Sequence, residues 1–174
     1  MNDLHVSWNE YHATIERLAV MIDRSGWSFE AIVCIARGGM RIGDICSRLF
    51  DRPLAIIAAT SYGGTGGRDR GTLTIAATLT TTVRLSGNLL LVDDLVDSGT
   101  SLRDVKHWLK THAGQQDELG AIAEIRTAVL WYKAHSTIEP DYYAAHLPDN
   151  PWIHQPFERY ETLSPQDLHS RSIA

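Results

Sequence analysis

Residues 89–102 read LLLVDDLVDSGTSL, and this stretch leaves the chain little choice of architecture. Leu89 to Val92 form an unbroken apolar run. Such a run suits a strand covered on both faces, because a strand with one wet face alternates instead. Asp93 and Asp94 come where that strand leaves the core. Asp97-Ser98-Gly99-Thr100-Ser101 then turns the chain into Thr100 to His112, which has the spacing of a helix. A buried strand, a glycine turn and a helix in succession form part of a strand–helix–strand unit, the building block of parallel sheets.

The same order recurs along the chain. Ala31 to Ala36 is a second continuous apolar run; it ends in Arg37-Gly38-Gly39, and Met40 to Phe50 reads as a helix. Leu54 to Thr60, Asn88 to Val92, Ile125 to Tyr132 and Asp141 to Ala145 supply further strands. Ahead of them, Ser7-Trp8-Asn9-Glu10 is a capping box, and Tyr11, Ile15, Leu18, Ala19 and Ile22 make a helical stripe to about Gly26. The alternation predicts an α/β fold, a mostly parallel twisted sheet with helices on both faces. Ligands of such folds bind at the C-terminal ends of the strands. Three unusual segments follow strand ends: Arg37-Gly38-Gly39, a loop over 61–71, and Asp93 to Ser101.

Between Ser61 and Ser86 the character changes. The glycines of 61–71 favour no single shape, and the threonine-rich stretch to Arg84 favours extended chain, here read as a hairpin turning near Leu79. The tail from Pro148, with Pro151, Pro156 and Pro165, reads as irregular. At 174 residues with a formal charge of -5, the chain fits one domain whose acidity argues against a nucleic-acid partner held through phosphates. No apolar run reaches the roughly 18 residues of a membrane span, and MNDLHVSWNE lacks a signal pattern, so no membrane contact is expected. Cys34 and Cys46 lie in apolar stretches and read as buried free thiols of a reducing, cytoplasmic compartment. The eight histidines show no metal spacing.

Asp97 to Ser101 has the ingredients of a phosphate cradle: converging amides, a helix dipole and the hydroxyls of Ser98, Thr100 and Ser101. Asp93 and Asp94 repel each other unless something positive or hydrogen-bonding joins them, and Mg²⁺ or the vicinal hydroxyls of a sugar would serve. A P-loop nucleotidase is disfavoured because no GxxxxGK[ST] occurs.

LLLVDDLVDSGTSL resembles the phosphoribosyl pyrophosphate signature of type I phosphoribosyltransferases. Three further segments are similar to parts of the 6-oxopurine (xanthine-guanine and hypoxanthine) enzymes, in family order: Ile35-Ala36-Arg37-Gly38-Gly39, Ser61-Tyr62, and Trp152-Ile153-His154-Gln155-Pro156-Phe157. The resemblance implies that Asp97, Ser98, Gly99, Thr100 and Ser101 hold the 5′-phosphate, and that Asp93 and Asp94 hold the ribose hydroxyls directly or through Mg²⁺. It also implies that Arg37, Gly38 and Gly39 hold pyrophosphate, in a loop that often carries a strained peptide in this family. Asp97 would bond N7 of a purine base and manage its proton. Lys133 would reach the exocyclic O6, Trp152 would stack on the base, and the Ile153 backbone would meet its edge. Ser61, Tyr62, Arg68 and Arg70 would belong to a mobile lid over 61–86. Residues 28–147 would form the core, with a hood drawn from 1–27 and 148–174. Ser98 stands where threonine is usual, and His154 and Phe157 stand where the bacterial xanthine-guanine tail carries an acid and a tryptophan. The implied activity is Mg²⁺-dependent purine salvage by a homo-oligomer, a dimer or tetramer. The alternative is a non-catalytic regulator that senses phosphoribosyl pyrophosphate or a nucleotide through the same cradle.

Overall fold

A computed structural model of the chain describes residues 3–61 and 73–169. After a two-residue strand β1 (Leu4–His5), helix α1 (Trp8–Arg24) starts at the expected capping box. Ser7 Oγ accepts the Glu10 amide at 3.3 Å, and the Glu10 carboxylate accepts the Ser7 amide at 2.8 Å. Next come β2 (Ala31–Ala36), α2 (Met40–Phe50), β3 (Leu54–Ser61), β4 (Leu73–Ile75) and β5 (Leu85–Val96). The chain continues through α3 (Thr100–His112), β6 (Leu119–Lys133), β7 (Tyr142–Leu147), β8 (Ile153–His154), a 3-10 turn at Glu158–Glu161 and α4 (Pro165–His169).

One sheet has the order β4-β3-β2-β5-β6-β7, parallel throughout except for β4, which runs antiparallel to β3. The apolar runs alternate between its two faces. Ile32, Cys34, Leu90 and Val92 pack under α1 and α2, against Tyr11, Ile15, Leu18, Ile22, Ile42 and Cys46. Val33, Ile35, Leu89 and Leu91 pack on the other face against Leu102, Val105 and Leu109 of α3. The fold is therefore the expected α/β sheet with helices on both faces. After β2 the chain moves outward through α2 to β3, and after β5 it moves the opposite way through α3 to β6. The boundary between β2 and β5 is thus the topological switch point, where such sheets open a crevice.

The structure departs from the sequence expectation in three places. The threonine-rich stretch does not fold on itself near Leu79. Its extended chain pairs with β3, through Ala59 with Ile75 and a bridge from Ile56 to Thr80, and Leu79 is buried. Strands β5 and β6 run well past their apolar centres, because their pairing continues from Leu85–Leu119 to Val96–Tyr132. The tail is not wholly irregular: β8 pairs in parallel with β1, Leu4 beside Ile153 and His5 beside His154. Of the expected lid, Ser61 ends β3 and residues 62–72, with Tyr62, Arg68 and Arg70, lie outside the described residues. Cys34 and Cys46 are buried and free, and burial pushes their thiols up to about 11 and about 12. Among the described residues no helix is long and apolar enough to cross a membrane.

Candidate active site

At the switch point two helices begin at the ends of neighbouring strands, one on each face of the sheet. Neither N-cap residue offers a side-chain cap, though Ser98 Oγ accepts the Thr100 amide at 3.4 Å. Gly39 precedes α2 and Gly99 precedes α3, and neither first turn contains an acid. Their leading amides have no intrahelical partners, so both helix ends present donors and partial positive charge to one crevice. Glycine is required at both turns. A Cβ on Gly39 would collide with the Val92 carbonyl oxygen and lie 3.1 Å from Asp93 Cα. Gly99 has φ +86, and a Cβ there would stand 2.8 Å from Ser136 Oγ. Ser98 Oγ donates to Thr100 Oγ1 at 3.1 Å. The Ser98 carbonyl accepts both the amide and the hydroxyl of Thr137, at 3.1 and 2.9 Å, which fixes the turn against the loop after β6.

The acid pair closes the crevice from the strand side. Asp93 Oδ1 accepts the Asp94 amide at 2.9 Å, and Asp94 Oδ2 accepts Gln155 Nε2 at 2.5 Å. Gly38 is so close that a Cβ would lie 2.6 Å from Asp94 Cγ. Among the described residues no lysine, arginine or histidine forms an ion pair with either carboxylate. Burial pushes both carboxyls above the ordinary aspartate range, and the neighbouring Asp94 charge adds to the effect at Asp93. Two adjacent oxygen donors with excess negative charge suit a hard divalent cation such as Mg²⁺, so this donor set fits the ion that the resemblance implies.

A second group forms on the other side of the cradle. Asp97 Oδ1 meets Lys133 Nζ at 3.2 Å and His135 Nε2 at 2.8 Å. Lys133 is only 7% exposed, and its ammonium stands 5.9 Å from the centroid of the Trp152 ring. Trp152 itself is 55% exposed, which leaves a large flat apolar surface beside a charged pair. The Trp152 and His154 carbonyls accept the Leu4 and Val6 amides at 2.8 and 3.0 Å. The alternation of a strand therefore turns the backbone groups of the intervening Ile153 away from β1, while its side chain is buried.

Asp97, Lys133 and Trp152 thus meet, as do Gly38, Gly39, Asp93 and Asp94. Arg37 does not join them: its guanidinium pairs with Glu161 at 3.2 Å and both side chains are largely in solvent. The Ala36–Arg37 peptide is cis. Sequence alone gives no role to His135 or Gln155. His135 lies two residues beyond Lys133, just past the end of β6, and Gln155 stands inside the quoted tail segment, so position offered the only signal. Phe157 is an anchor: its ring stands edge-on to Tyr11 at 5.7 Å, with the Arg41 guanidinium 4.2 Å from its centroid.

Comparison with known proteins agrees with this fold. The model of the phosphoribosyl transferase domain family matches residues 7–162. The xanthine-guanine phosphoribosyltransferase of Roseobacter denitrificans is 32% identical over 127 residues, 66% of this chain and 72% of the relative. That of Ruegeria sp. matches with the same identity and extent. The crystal structure of a purine phosphoribosyltransferase from Pyrococcus horikoshii superposes with a TM-score of 0.71 at 26% identity, covering 90% of this chain and 95% of that one. The xanthine-guanine-hypoxanthine phosphoribosyltransferase of Helicobacter pylori shares the fold, with a TM-score of 0.68 at 24% identity and coverage of 97% and 99%. The chain belongs to the phosphoribosyltransferase family.

Proposed function

We propose that this site transfers 5-phosphoribose from phosphoribosyl pyrophosphate to N9 of hypoxanthine, guanine or xanthine, releasing a nucleoside monophosphate and pyrophosphate. The chain is a phosphoribosyltransferase of purine salvage, as family membership and the xanthine-guanine relatives support. The observation that carries the choice of base is the Asp97–Lys133 pair beside the exposed face of Trp152.

The amides and hydroxyls from Asp97 to Ser101 take the 5′-phosphate, where an uncapped helix start favours an anion. Asp93 and Asp94 hold the ribose hydroxyls and Mg²⁺. When bound, Mg²⁺ supplies positive charge against the leaving pyrophosphate. Loss of pyrophosphate leaves positive charge on the sugar, and carboxylates placed in advance offset it. Asp97 accepts or returns the N7 proton of the purine, Lys133 donates to O6, Trp152 stacks on the ring, and the free backbone groups of Ile153 meet its edge. Arg37 is assigned to pyrophosphate with the amides of Gly38 and Gly39. Leaving Glu161 costs it little, because so exposed a pair contributes less than about 1 kcal/mol. The lid role of Ser61, Tyr62, Arg68 and Arg70 rests on the resemblance alone, as does assembly into a dimer or tetramer. The hood built from 1–27 and 148–174 has support in the β1–β8 pairing, and the buried free thiols support a cytoplasmic location. A sensing regulator would need the cradle but no base platform, so Lys133 and Trp152 disfavour that reading.

The test is an assay of purified protein with phosphoribosyl pyrophosphate, Mg²⁺ and each base in turn. Nucleotide formation from at least one 6-oxopurine is expected, and no turnover with any of them overturns the proposal.

A further inference from the structure

Three side chains from opposite ends of the sequence meet beside β1 and β8. Asp3, His5 and His154 each offer a ligand atom, and these atoms lie within 4.8 Å of one another. His5 and His154 are register partners, and their rings stack with centroids 4.3 Å apart and planes 9° from parallel. Asp3 Oδ2 lies 3.0 Å from His154 Nε2, while Glu158 Oε2 stands 3.7 Å from the other ring nitrogen, Nδ1. Histidine spacing gives no hint of this cluster, because the fold and not the local sequence brings the two rings together.

We propose that Asp3, His5 and His154 bind a late first-row divalent ion, of which Zn²⁺ is the representative, with Glu158 as the outer carboxylate that orients the His154 ring. Two imidazoles and one carboxylate are a donor set that zinc accepts, with bonds of about 2.0–2.2 Å and a fourth position left for water. Mg²⁺, which prefers oxygen alone, would not choose it, so the site is chemically distinct from the Asp93–Asp94 pair. A carboxylate behind Nδ1 is the usual partner of a ligating histidine, and Glu158 would take that role by closing from 3.7 Å to hydrogen-bond distance. Tetrahedral binding requires the donor atoms to close to about 3.3 Å from one another. The two exposed side chains, Asp3 and His5, can make that adjustment by rotation.

A plain histidine–aspartate hydrogen bond beside a ring stack is the competing reading, and it leaves β1 and β8 weakly joined. Strands of two residues offer few ladder bonds, and so short a ribbon is marginal in water. An ion shared by His5 and His154 would cross-link the two strands at their register pair. Because β8 follows directly on Trp152, the ion would also hold the aromatic platform in place. That consequence rests on the base-binding reading above, whereas the ion site does not.

The experiment titrates Zn²⁺ into the full chain, stripped of metals by a chelator and held in excess Mg²⁺, against a chromophoric zinc chelator. A parallel Co²⁺ titration is read by visible absorption. One Zn²⁺ per chain and the strong visible bands of tetrahedral cobalt are expected. Loss of an outer partner weakens such sites about 10–100-fold, so Glu158→Gln should fall in that range, and His5→Ala and His154→Ala should weaken binding further. Asp93→Asn should leave Zn²⁺ affinity unchanged. Far-UV circular dichroism checks each variant for folding, and the wild-type stoichiometry does not depend on any variant. Absence of stoichiometric Zn²⁺ binding by the wild type, or unchanged affinity in folded His5→Ala and His154→Ala, overturns the site. Purine turnover measured with Mg²⁺ alone reports separately on the base reading, so the two proposals fail independently.

Discussion

On the proposed reading, Asp97 is the residue at which phosphate and base chemistry meet, because one carboxylate opens the cradle and also holds Lys133. Replacing it with asparagine keeps the shape and removes the charge that can take a proton. Asp97→Asn should lower kcat by about 10²–10⁴, the usual contribution of a general acid–base group, with little change in phosphoribosyl pyrophosphate affinity. Steady-state kinetics beside a direct binding titration checks this, and equal loss of both would reduce Asp97 to a loop anchor. The acid pair makes the opposite trade. A raised folded-state value means that the native chain binds protons more tightly than the unfolded one, so stability falls as pH rises from the ordinary aspartate range through the raised value. Asp93→Asn should therefore raise the melting temperature of the ligand-free protein at pH 7, by about 2–4 °C for each kcal/mol relieved, and abolish turnover. Calorimetry at pH 7 and again near pH 4 should show the gain shrinking at the lower pH. These acids were legible in the sequence because paired charges at the end of an apolar run have few structural uses. His135 and Gln155 were not, because a lone polar residue past a strand end is ordinarily a solvated one.

At the level of elements, two bare helix starts converge where neighbouring strands part company. The arrangement depends on Gly39, which has no room for a side chain against the Val92 carbonyl. Gly39→Ala should push α2 off β5, destabilise the chain by about 1–3 kcal/mol as overpacking does, and weaken pyrophosphate binding. Urea unfolding followed by a pyrophosphate titration reads both effects. β2, α2 and α3 lay where the sequence put them, since a continuous apolar run, a glycine turn and a helical stripe leave little freedom. The threonine-rich stretch is strand only over β4 and a bridge at Thr80, and it pairs with β3 rather than with itself. Strand propensity says that a segment suits a sheet and nothing about its partner, and here that partner is β3. β1 and β8 left no trace in the sequence, because two residues cannot display a period.

Across the whole molecule, the tail is tied to the core by one polar contact of high consequence. Gln155 reaches from the proposed base side to Asp94 on the proposed ribose side, and among the described residues its own Oε1 is buried without a partner. Hydrogen bonds to charged groups are worth about 1.5–3 kcal/mol, so Gln155→Leu should raise KM for both phosphoribosyl pyrophosphate and base, by about ten- to a hundredfold. Trp152→Ala should raise KM for the base alone. Varying each substrate in turn separates the two patterns, and identical profiles for the two variants would remove Gln155 as a link.

The pairing of β1 with β8 also sets an order of events during synthesis. The proposed cradle draws mainly on segments that follow one another in the chain, from β2 through the loop after β6. The proposed platform around Trp152 needs Leu4, made before β2, to meet Ile153, made after β7. A nascent chain could thus hold a sugar phosphate before it has anywhere to put a base. On the proposed reading, a truncation lacking only the last few elements would lose the base platform outright and, with Gln155 gone from Asp94, keep only a weakened grip on the sugar phosphate.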